Sequence, residues 1–151
     1  MNEKMLVFDM DGTIANLYGY PNWLESLRSK DDTPYKECEP LYDMNQLNSL
    51  LMKLKEKGYR IAVTSWLTYE ELMDKTYKAQ IRKAKREWLK KYNFPADEVH
   101  IVKYGTNKRK VTNKFKGEQI LIDDSKEVRE AFKGKTINAK ENIIVELEKL
   151  L

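Results

Sequence analysis

The segment Met5-Leu-Val-Phe-Asp-Met-Asp-Gly-Thr13 joins a short apolar run to two acidic residues, a glycine and a threonine. Such a run is typical of a buried β-strand followed by a tight loop. Gly12 lets the loop turn sharply, because glycine adopts backbone conformations that other residues avoid. Asp9 and Asp11 are therefore predicted to lie together just beyond the carboxyl end of a strand.

The rest of the chain alternates between short apolar stretches and segments with helical periodicity. The further predicted strands are Arg60–Thr64, Val99–Val102, Gln119–Ile122 and Thr136–Ile137. The predicted helices are Asn22–Ser29, Met44–Lys57, Thr68–Tyr92, Asn107–Phe115, Ser125–Lys133 and Lys140–Leu151. Prolines and acidic residues around 31–34 and 39–40 indicate loops. This alternation predicts an α/β fold with a parallel sheet, and 151 residues fit a single domain, 1–151.

Polar residues follow each of the first four predicted strands. In chain order they are Asp9 and Asp11, Thr64 and Ser65, Lys108, and Asp123 and Asp124. In open parallel sheets, ligands bind outside the carboxyl ends of the strands, so these side chains are expected to meet in one crevice. Each is weak evidence alone, since Asp124 or Ser125 can equally cap the helix that follows.

Four carboxylates in one crevice repel one another, and one takes up a proton unless a cation intervenes. Mg²⁺ suits such a set because it prefers carboxylates, water and phosphate oxygens. A carboxylate can then attack phosphorus to form an aspartyl-phosphate, while a second one protonates the leaving oxygen and later activates water. Thr64, Ser65 and Lys108 offer donors for the charge on the transferring group.

The composition excludes several other kinds of site. One cysteine, Cys38, and one histidine, His100, cannot build a structural zinc site or a disulfide framework. A Ser-His-Asp mechanism would depend on His100, which lies in a predicted buried strand. Without a bilayer-length apolar run or a signal-peptide pattern, a cytoplasmic protein with no membrane partner is expected. The net charge is +4, and the basic residues are concentrated in Lys75–Lys116. This stretch is interpreted either as a solvated helix face or as a surface that attracts phosphate-bearing substrates.

The polar motifs resemble those of the haloacid dehalogenase (HAD) superfamily of phosphotransferases. The segment Asp9-Met-Asp-Gly-Thr13 is similar to its first motif, Thr64 to its second and Ile120-Leu-Ile-Asp-Asp124 to its fourth. The resemblance implies a Rossmann-like HAD core in which Asp9 is the nucleophile and Asp11 the general acid/base.

The same resemblance implies the remaining site residues. Mg²⁺ would be held by Asp9, the backbone carbonyl of Asp11 and Asp124, with Asp123 in support. The third motif is a lysine, for which Lys108 is chosen and Lys103, Lys110 and Lys114 remain alternatives. Substrate contacts are expected from residues next to these motifs, namely Gly12, Thr13, Ser65 and Trp66.

Residues 15–42 lie where this superfamily inserts its cap. The segment is short, so a small helical or loop cap and an open active site are expected, with room for a macromolecular end. Tyr18, Tyr20, Trp23 and Arg28 are candidates to stack on a base or hold a phosphate. The aromatic residues can equally form a small apolar plug over the sheet edge.

Two branches of the superfamily share the ending Leu121-Ile-Asp-Asp124 and a small cap: the 5′-deoxyribonucleotidases and the 3′-phosphatase domains of phage-type polynucleotide kinases. The second also resembles this chain in the basic segment Tyr77–Trp88 and in Thr106-x-Lys108, but it has arginine where this chain has Trp66. The expected function is Mg²⁺-dependent hydrolysis of a phosphomonoester on a nucleotide or nucleic-acid end. The alternatives are a sugar-phosphate phosphatase and a non-catalytic binding or regulatory protein with the same fold.

Overall fold

The computed structural model describes residues 3–69 and 74–151. A five-stranded parallel sheet of order β3-β2-β1-β4-β5 forms its centre. The strands are β1 (Lys4–Phe8), β2 (Tyr59–Trp66), β3 (Glu98–Val102), β4 (Glu118–Asp123) and β5 (Lys135–Asn138). Each predicted strand is present within a few residues of its predicted bounds, which confirms the parallel α/β architecture.

Helices connect the strands and cover the sheet. In the described part of the chain they are α1 (Trp23–Arg28), α2 (Thr33–Glu37), α3 (Met44–Glu56), α4 (Lys75–Lys91), α5 (Lys108–Val111), α6 (Lys126–Phe132) and α7 (Ile143–Glu148). None of these described helices is long and apolar enough to cross a membrane.

Helix α4 begins later than its periodicity predicts. Thr68 and Tyr69 lie outside any helix, and the predicted contribution of Leu72 falls outside the described residues. The side chain of Asp74 accepts a hydrogen bond from the backbone N–H of Tyr77 (2.8 Å) and caps the helix. A capping carboxylate satisfies an N–H that has no partner inside the helix, so it favours a start at this point.

Helix α2 corrects the prediction of a loop around residues 31–34. Pro34 lies in the first turn, where the missing N–H costs nothing because first-turn N–H groups lack intrahelical partners. The carboxylate of Asp31 accepts hydrogen bonds from the backbone N–H and the hydroxyl of Thr33 (3.0 and 2.6 Å). The proline and acidic residues therefore start a helix here instead of interrupting one.

The sheet is buried on both faces. Leu6 and Phe8 of β1 belong to a core cluster that includes Leu47 and Leu51 of α3. Met5 and Val7 belong to a cluster on the opposite face, together with Leu121 and Phe132. Successive strand residues point to opposite faces, so a sheet covered on both sides needs the continuous apolar run that β1 shows.

The register of the central strands brings their carboxyl ends level. Phe8, the last residue of β1, pairs with Val63 on one side and Ile122 on the other. The residues that follow these three are Asp9, Thr64 and Asp123, so they stand side by side at one edge of the sheet. The backbone N–H of Asp9 donates to the carbonyl of Ile122 (2.9 Å) and fixes the start of the loop.

His100 lies in β3, the strand at one edge of the described sheet. Its side chain is 33% exposed and its Nε2 lies 2.9 Å from Glu98 Oε1. The expectation of a buried strand around this histidine is therefore wrong in part, because an edge strand has a neighbour on one side only. His100 also lies outside the residues that line the cavity described below.

Candidate active site

The loop after β1 folds back on itself through its backbone. The carbonyl of Met10 accepts from the N–H groups of Thr13, Ile14 and Ala15 (3.0–3.2 Å). Gly12 has φ +79°, in the left-handed region, and a Cβ built on it would collide with the carboxylate of Asp124. The buried hydroxyl of Thr13 donates to Asp9 Oδ2 (2.9 Å). Gly12 thus allows the tight turn of the loop, and the hydrogen bond from Thr13 fixes the carboxylate of Asp9.

Asp9, Asp123 and Asp124 form an acidic cluster in which one oxygen of each lies within 4.8 Å of the others. Asp9 and Asp123 are buried and Asp124 is half-buried. Burial and the charge of Asp9 raise the pKa of Asp123, and the same causes raise the pKa of Asp124 to about 7. Repulsion of this kind is relieved by a cation, and a set of carboxylate oxygens fits Mg²⁺. The residues present therefore suit the predicted metal.

Lys108 is the first residue of α5, whose N-terminus is capped by the side chain of Asn107. Its buried Nζ donates to Asp9 Oδ1 (2.9 Å) and to Asp123 Oδ2 (2.8 Å). Although burial opposes the charged form, the two carboxylates raise the pKa of Lys108. The three alternative lysines for this position are exposed: Lys103, Lys110 and Lys114. Among the four candidates, Lys108 is the one that reaches the acidic cluster.

The end of β2 contributes three consecutive residues. Thr64 is buried, and its hydroxyl oxygen has no hydrogen-bond partner among the described residues. Ser65 and Trp66 line the cavity. The indole N–H of Trp66 donates to the carbonyl of Thr106 (2.8 Å), and its ring lies 5.5 Å from the ammonium of Lys108. Thr64 stands beside Asp9 at the strand ends but does not line the cavity, and a buried hydroxyl without a partner is unusual, since buried polar groups are normally hydrogen-bonded.

Lys85 is a member of the site that sequence reasoning missed. It lies on α4 and is completely buried. Its Nζ donates to Asp11 Oδ2 (2.9 Å), Ser65 Oγ (2.7 Å) and the carbonyl of Trp66 (2.9 Å). The available signal was its spacing, because Lys85 falls four residues after Ile81 on the apolar stripe of the helix. Burial nevertheless raises the pKa of Asp11 in spite of the lysine.

A cavity of about 300 Å³ opens over these residues. Besides Ser65 and Trp66, the predicted site residues that line it are Asp9, Asp11, Lys108, Asp123 and Asp124. Its walls are largely apolar and aromatic. From residues 15–42 they include Leu17, Tyr18, Trp23, Leu24, Leu27 and Tyr35, and from the loops after β2 and β3 they include Leu67, Tyr69 and Tyr104.

Two of the residues predicted in segment 15–42 lie elsewhere. Arg28 is exposed at the end of α1 and does not line the cavity, and neither does Tyr20, whose hydroxyl donates to Glu37 (3.2 Å). Tyr18 and Trp23 do line it and contact each other edge to face, with ring centroids 5.0 Å apart. The segment therefore supplies aromatic walls to the cavity, and its one arginine, Arg28, is exposed outside that lining.

Comparison with known proteins identifies the fold. No family model and no curated protein sequence matches the chain. A heptose bisphosphate phosphatase from B. bronchiseptica, solved with magnesium and phosphate, superposes with a TM-score of 0.59 at 10% identity, over 98% of this chain and 99% of that one. A chain in the Pnkp1/Rnl/Hen1 RNA repair complex also gives 0.59, at 16% identity and over 91% of this chain. This chain spans 42% of that longer one. The likeness confirms the predicted HAD-like fold.

Proposed function

We propose that this chain is a Mg²⁺-dependent phosphomonoester hydrolase of the HAD superfamily that forms an aspartyl-phosphate on Asp9. The observation that carries the proposal is the contact of Asp9 with Lys108, within an acidic cluster at the carboxyl ends of the central strands. A neighbour of the same fold that was solved with magnesium and phosphate adds support.

Asp9, Asp124 and the backbone carbonyl of Asp11 would hold the metal, with Asp123 in support. Bound there, Mg²⁺ supplies Lewis-acid polarisation of the phosphoryl group and neutralises the carboxylates. Lys108 already offsets part of the charge of Asp9 and Asp123, since its ammonium lies within 3 Å of both. The lysine thereby reduces the negative charge that an anionic substrate would meet at the nucleophile.

The reaction then proceeds in two displacements. A carboxylate oxygen of Asp9 attacks phosphorus, the bond to the leaving oxygen breaks, and Asp11 gives that oxygen a proton. Asp11 next takes a proton from water, which attacks the aspartyl-phosphate and releases phosphate, so that Asp9 is restored. Ser65 and Lys108, which line the cavity, would donate to the phosphoryl oxygens as charge develops on them, with Thr64 as a further donor in the proposal.

The cavity walls favour a substrate with a planar group, and we infer a nucleotide or a nucleic-acid end. Trp66 and Tyr104 lie on one wall with ring centroids 5.1 Å apart, and Tyr18 and Trp23 belong to segment 15–42, which we treat as the cap. Aromatic side chains stack on nucleobases without regard to sequence. A sugar phosphate is the second candidate, because a sugar bisphosphate phosphatase has the same fold.

The central test is hydrolysis of p-nitrophenyl phosphate with and without Mg²⁺. We expect the wild type to be active only with the metal and Asp9→Asn to fall to the background rate. Lys108→Met should lose about 10²–10³-fold, the loss typical of one donor to a developing oxyanion. Lys110→Met is the matched control on the same helix and should keep full activity. Equal rates for wild type and Asp9→Asn would refute the catalytic assignment.

A substrate screen separates the candidate classes. Deoxynucleoside monophosphates, a 3′-phosphorylated oligonucleotide and sugar phosphates are compared by kcat/KM under the same conditions. We expect the highest value for a substrate that carries a base. Turnover of sugar phosphates alone would exclude the nucleotide assignment. If none of these substrates is hydrolysed and p-nitrophenyl phosphate is, the phosphatase assignment stands and the inferred substrate class is wrong.

A further inference from the structure

The two acidic residues of the loop after β1 have separate cationic partners. Asp9 contacts Lys108, whereas Asp11 contacts Lys85. Lys108 lines the cavity and can meet a substrate, but Lys85 does not line it and is completely buried. Whatever Lys85 contributes to the reaction therefore passes through the groups that it holds.

The ammonium of Lys85 uses all of its hydrogen-bonding capacity on the site. A lysine side chain has three N–H donors, and its three acceptors here are Asp11, Ser65 and Trp66, at 2.7–2.9 Å. Because the other two acceptors belong to β2, these bonds fix Asp11 Oδ2 relative to a rigid strand. Asp11 lines the cavity, so its other oxygen, Oδ1, is the one that Lys85 leaves for a bound group.

The position of Lys85 is itself held by packing. Its neighbours Ile81 and Ala84 on α4 are completely buried, and its ammonium lies 5.3 Å from the ring centroid of Tyr35 on α2. A buried ion pair adds little net stability over apolar residues of similar volume. A completely buried lysine on an apolar helix face is thus better explained by a task at the site than by stability.

We propose that Lys85 is a positioning residue, which orients the carboxylate of Asp11 so that Oδ1 faces the leaving-group oxygen of the substrate. The inference rests on the proposed function and extends it to a residue of α4, outside the four motifs. It predicts that loss of Lys85 impairs the step in which Asp11 acts and leaves phosphate binding largely intact, because Ser65 and Trp66, whose atoms Lys85 also contacts, stay in place on β2.

Two matched substrates reveal that step. Phenyl phosphate and p-nitrophenyl phosphate are similar in size, but phenolate is the more basic leaving group and depends more on proton donation. We expect Lys85→Met to lower kcat about 10²-fold on phenyl phosphate, a loss typical of impaired general acid catalysis, with a clearly smaller loss on p-nitrophenyl phosphate and an unchanged KM. Lys83→Met, on the exposed face of the same helix, should leave both rates unchanged.

A double-mutant cycle with Asp11→Asn tests whether Lys85 acts through Asp11. If it does, Lys85→Met adds no further loss on phenyl phosphate once Asp11 is changed. Thermal melting and Mg²⁺ titration of the same four proteins report the fold and the metal site independently of activity. Lys85→Gln, which keeps two N–H donors, serves as the milder variant if Lys85→Met does not fold.

The outcomes are distinct. Equal losses on the two substrates, additive losses in the cycle, or a rise in KM alone would each overturn the positioning role. A wild type that hydrolyses neither substrate would instead overturn the proposed function, and the role of Lys85 with it. An active wild type with the expected pattern would support both.

Discussion

At the scale of single residues, the acidic cluster depends on a glycine as much as on its carboxylates. Gly12 adopts φ +79° and lies against the carboxylate of Asp124. Any side chain at this position meets two separate costs, one from the backbone angle and one from the collision with Asp124. Gly105 has a similar backbone, with φ +87°, but a Cβ there would meet nothing within 4 Å. Comparing substitutions at Gly12 and Gly105 therefore separates the cost of backbone strain from the effect of displacing the Asp124 carboxylate.

We expect Gly12→Ala and Gly105→Ala to lose a similar stability of about 1–2 kcal/mol, the cost of a left-handed backbone for a residue with a Cβ. Only Gly12→Ala should also raise the Mg²⁺ concentration needed for half-maximal activity, because its Cβ displaces the Asp124 carboxylate. Thermal melting measures the first effect, and the Mg²⁺ concentration at half-maximal activity measures the second. A wild-type Mg²⁺ requirement in Gly12→Ala would place Asp124 outside the metal site.

At the scale of elements, the start of β3 is fastened to β2 by one carboxylate. Asp97 accepts from the backbone N–H of Ile61 (2.7 Å) and from Lys55 Nζ (3.0 Å), while its own N–H donates to the carbonyl of Ile61 (2.7 Å). Although burial opposes it, these hydrogen bonds lower the pKa of Asp97. Since β2 carries Thr64, Ser65 and Trp66, this fastening also supports the site.

A lowered pKa in the folded state means that ionised Asp97 stabilises the fold. That contribution is complete above the ordinary aspartate pKa of about 4 and is lost as the pH falls through the lowered value. We expect Asp97→Asn to cost about 1–2 kcal/mol at pH 7, since it weakens two charged hydrogen bonds. The difference in melting temperature between Asp97→Asn and wild type should shrink as the pH falls below about 4, where Asp97 of the wild type becomes protonated.

Glu87→Gln provides the control for this pH dependence. Glu87 pairs with Lys83 on the exposed face of α4 at 3.9 Å, and exposed pairs of this kind contribute little. The melting temperature of Glu87→Gln should equal that of wild type at every pH. A constant difference between Asp97→Asn and wild type from pH 7 to pH 3 would show that the carboxylate does not contribute through its charge.

At the scale of the whole molecule, the cavity is assembled from distant parts of the chain. Its floor comes from the ends of β1 and β4 and from α5, and its walls come from segment 15–42 and the loops after β2 and β3. Tyr18, Tyr69 and Tyr104 are each 41–52% exposed at these walls. Exposed aromatic side chains grouped at a cavity mouth are typical of a binding surface.

We expect Tyr104→Ala to raise KM for a deoxynucleoside monophosphate by roughly 5–100-fold, the effect of losing one stacked base contact. The KM for acetyl phosphate, which has no ring, should not change. Because Tyr104 is exposed, the melting temperature should stay close to that of wild type. Tyr20→Ala removes an aromatic residue outside the cavity and serves as the control. An equal rise in KM for both substrates would argue against stacking.

The sequence alone determined the strands and the residues at their ends. Burial on both faces requires continuous apolar runs, and parallel strands bring their carboxyl ends to one edge, so the meeting of Asp9, Thr64 and Asp123 follows from local pattern and topology. The start of α2 was missed, because a proline in a first turn has the same local pattern as a proline in a loop.

Only the tertiary structure decided which cations serve the site. The sequence favours Lys108 but leaves Lys103, Lys110 and Lys114 as alternatives, and Lys108 alone among the four is buried against Asp9. Lys85 looks like one more charge on a basic helix until the packing of α4 turns it toward Asp11. The physical reason is that a long charged side chain takes its role from what surrounds its tip, and those surroundings come from residues far away in the chain.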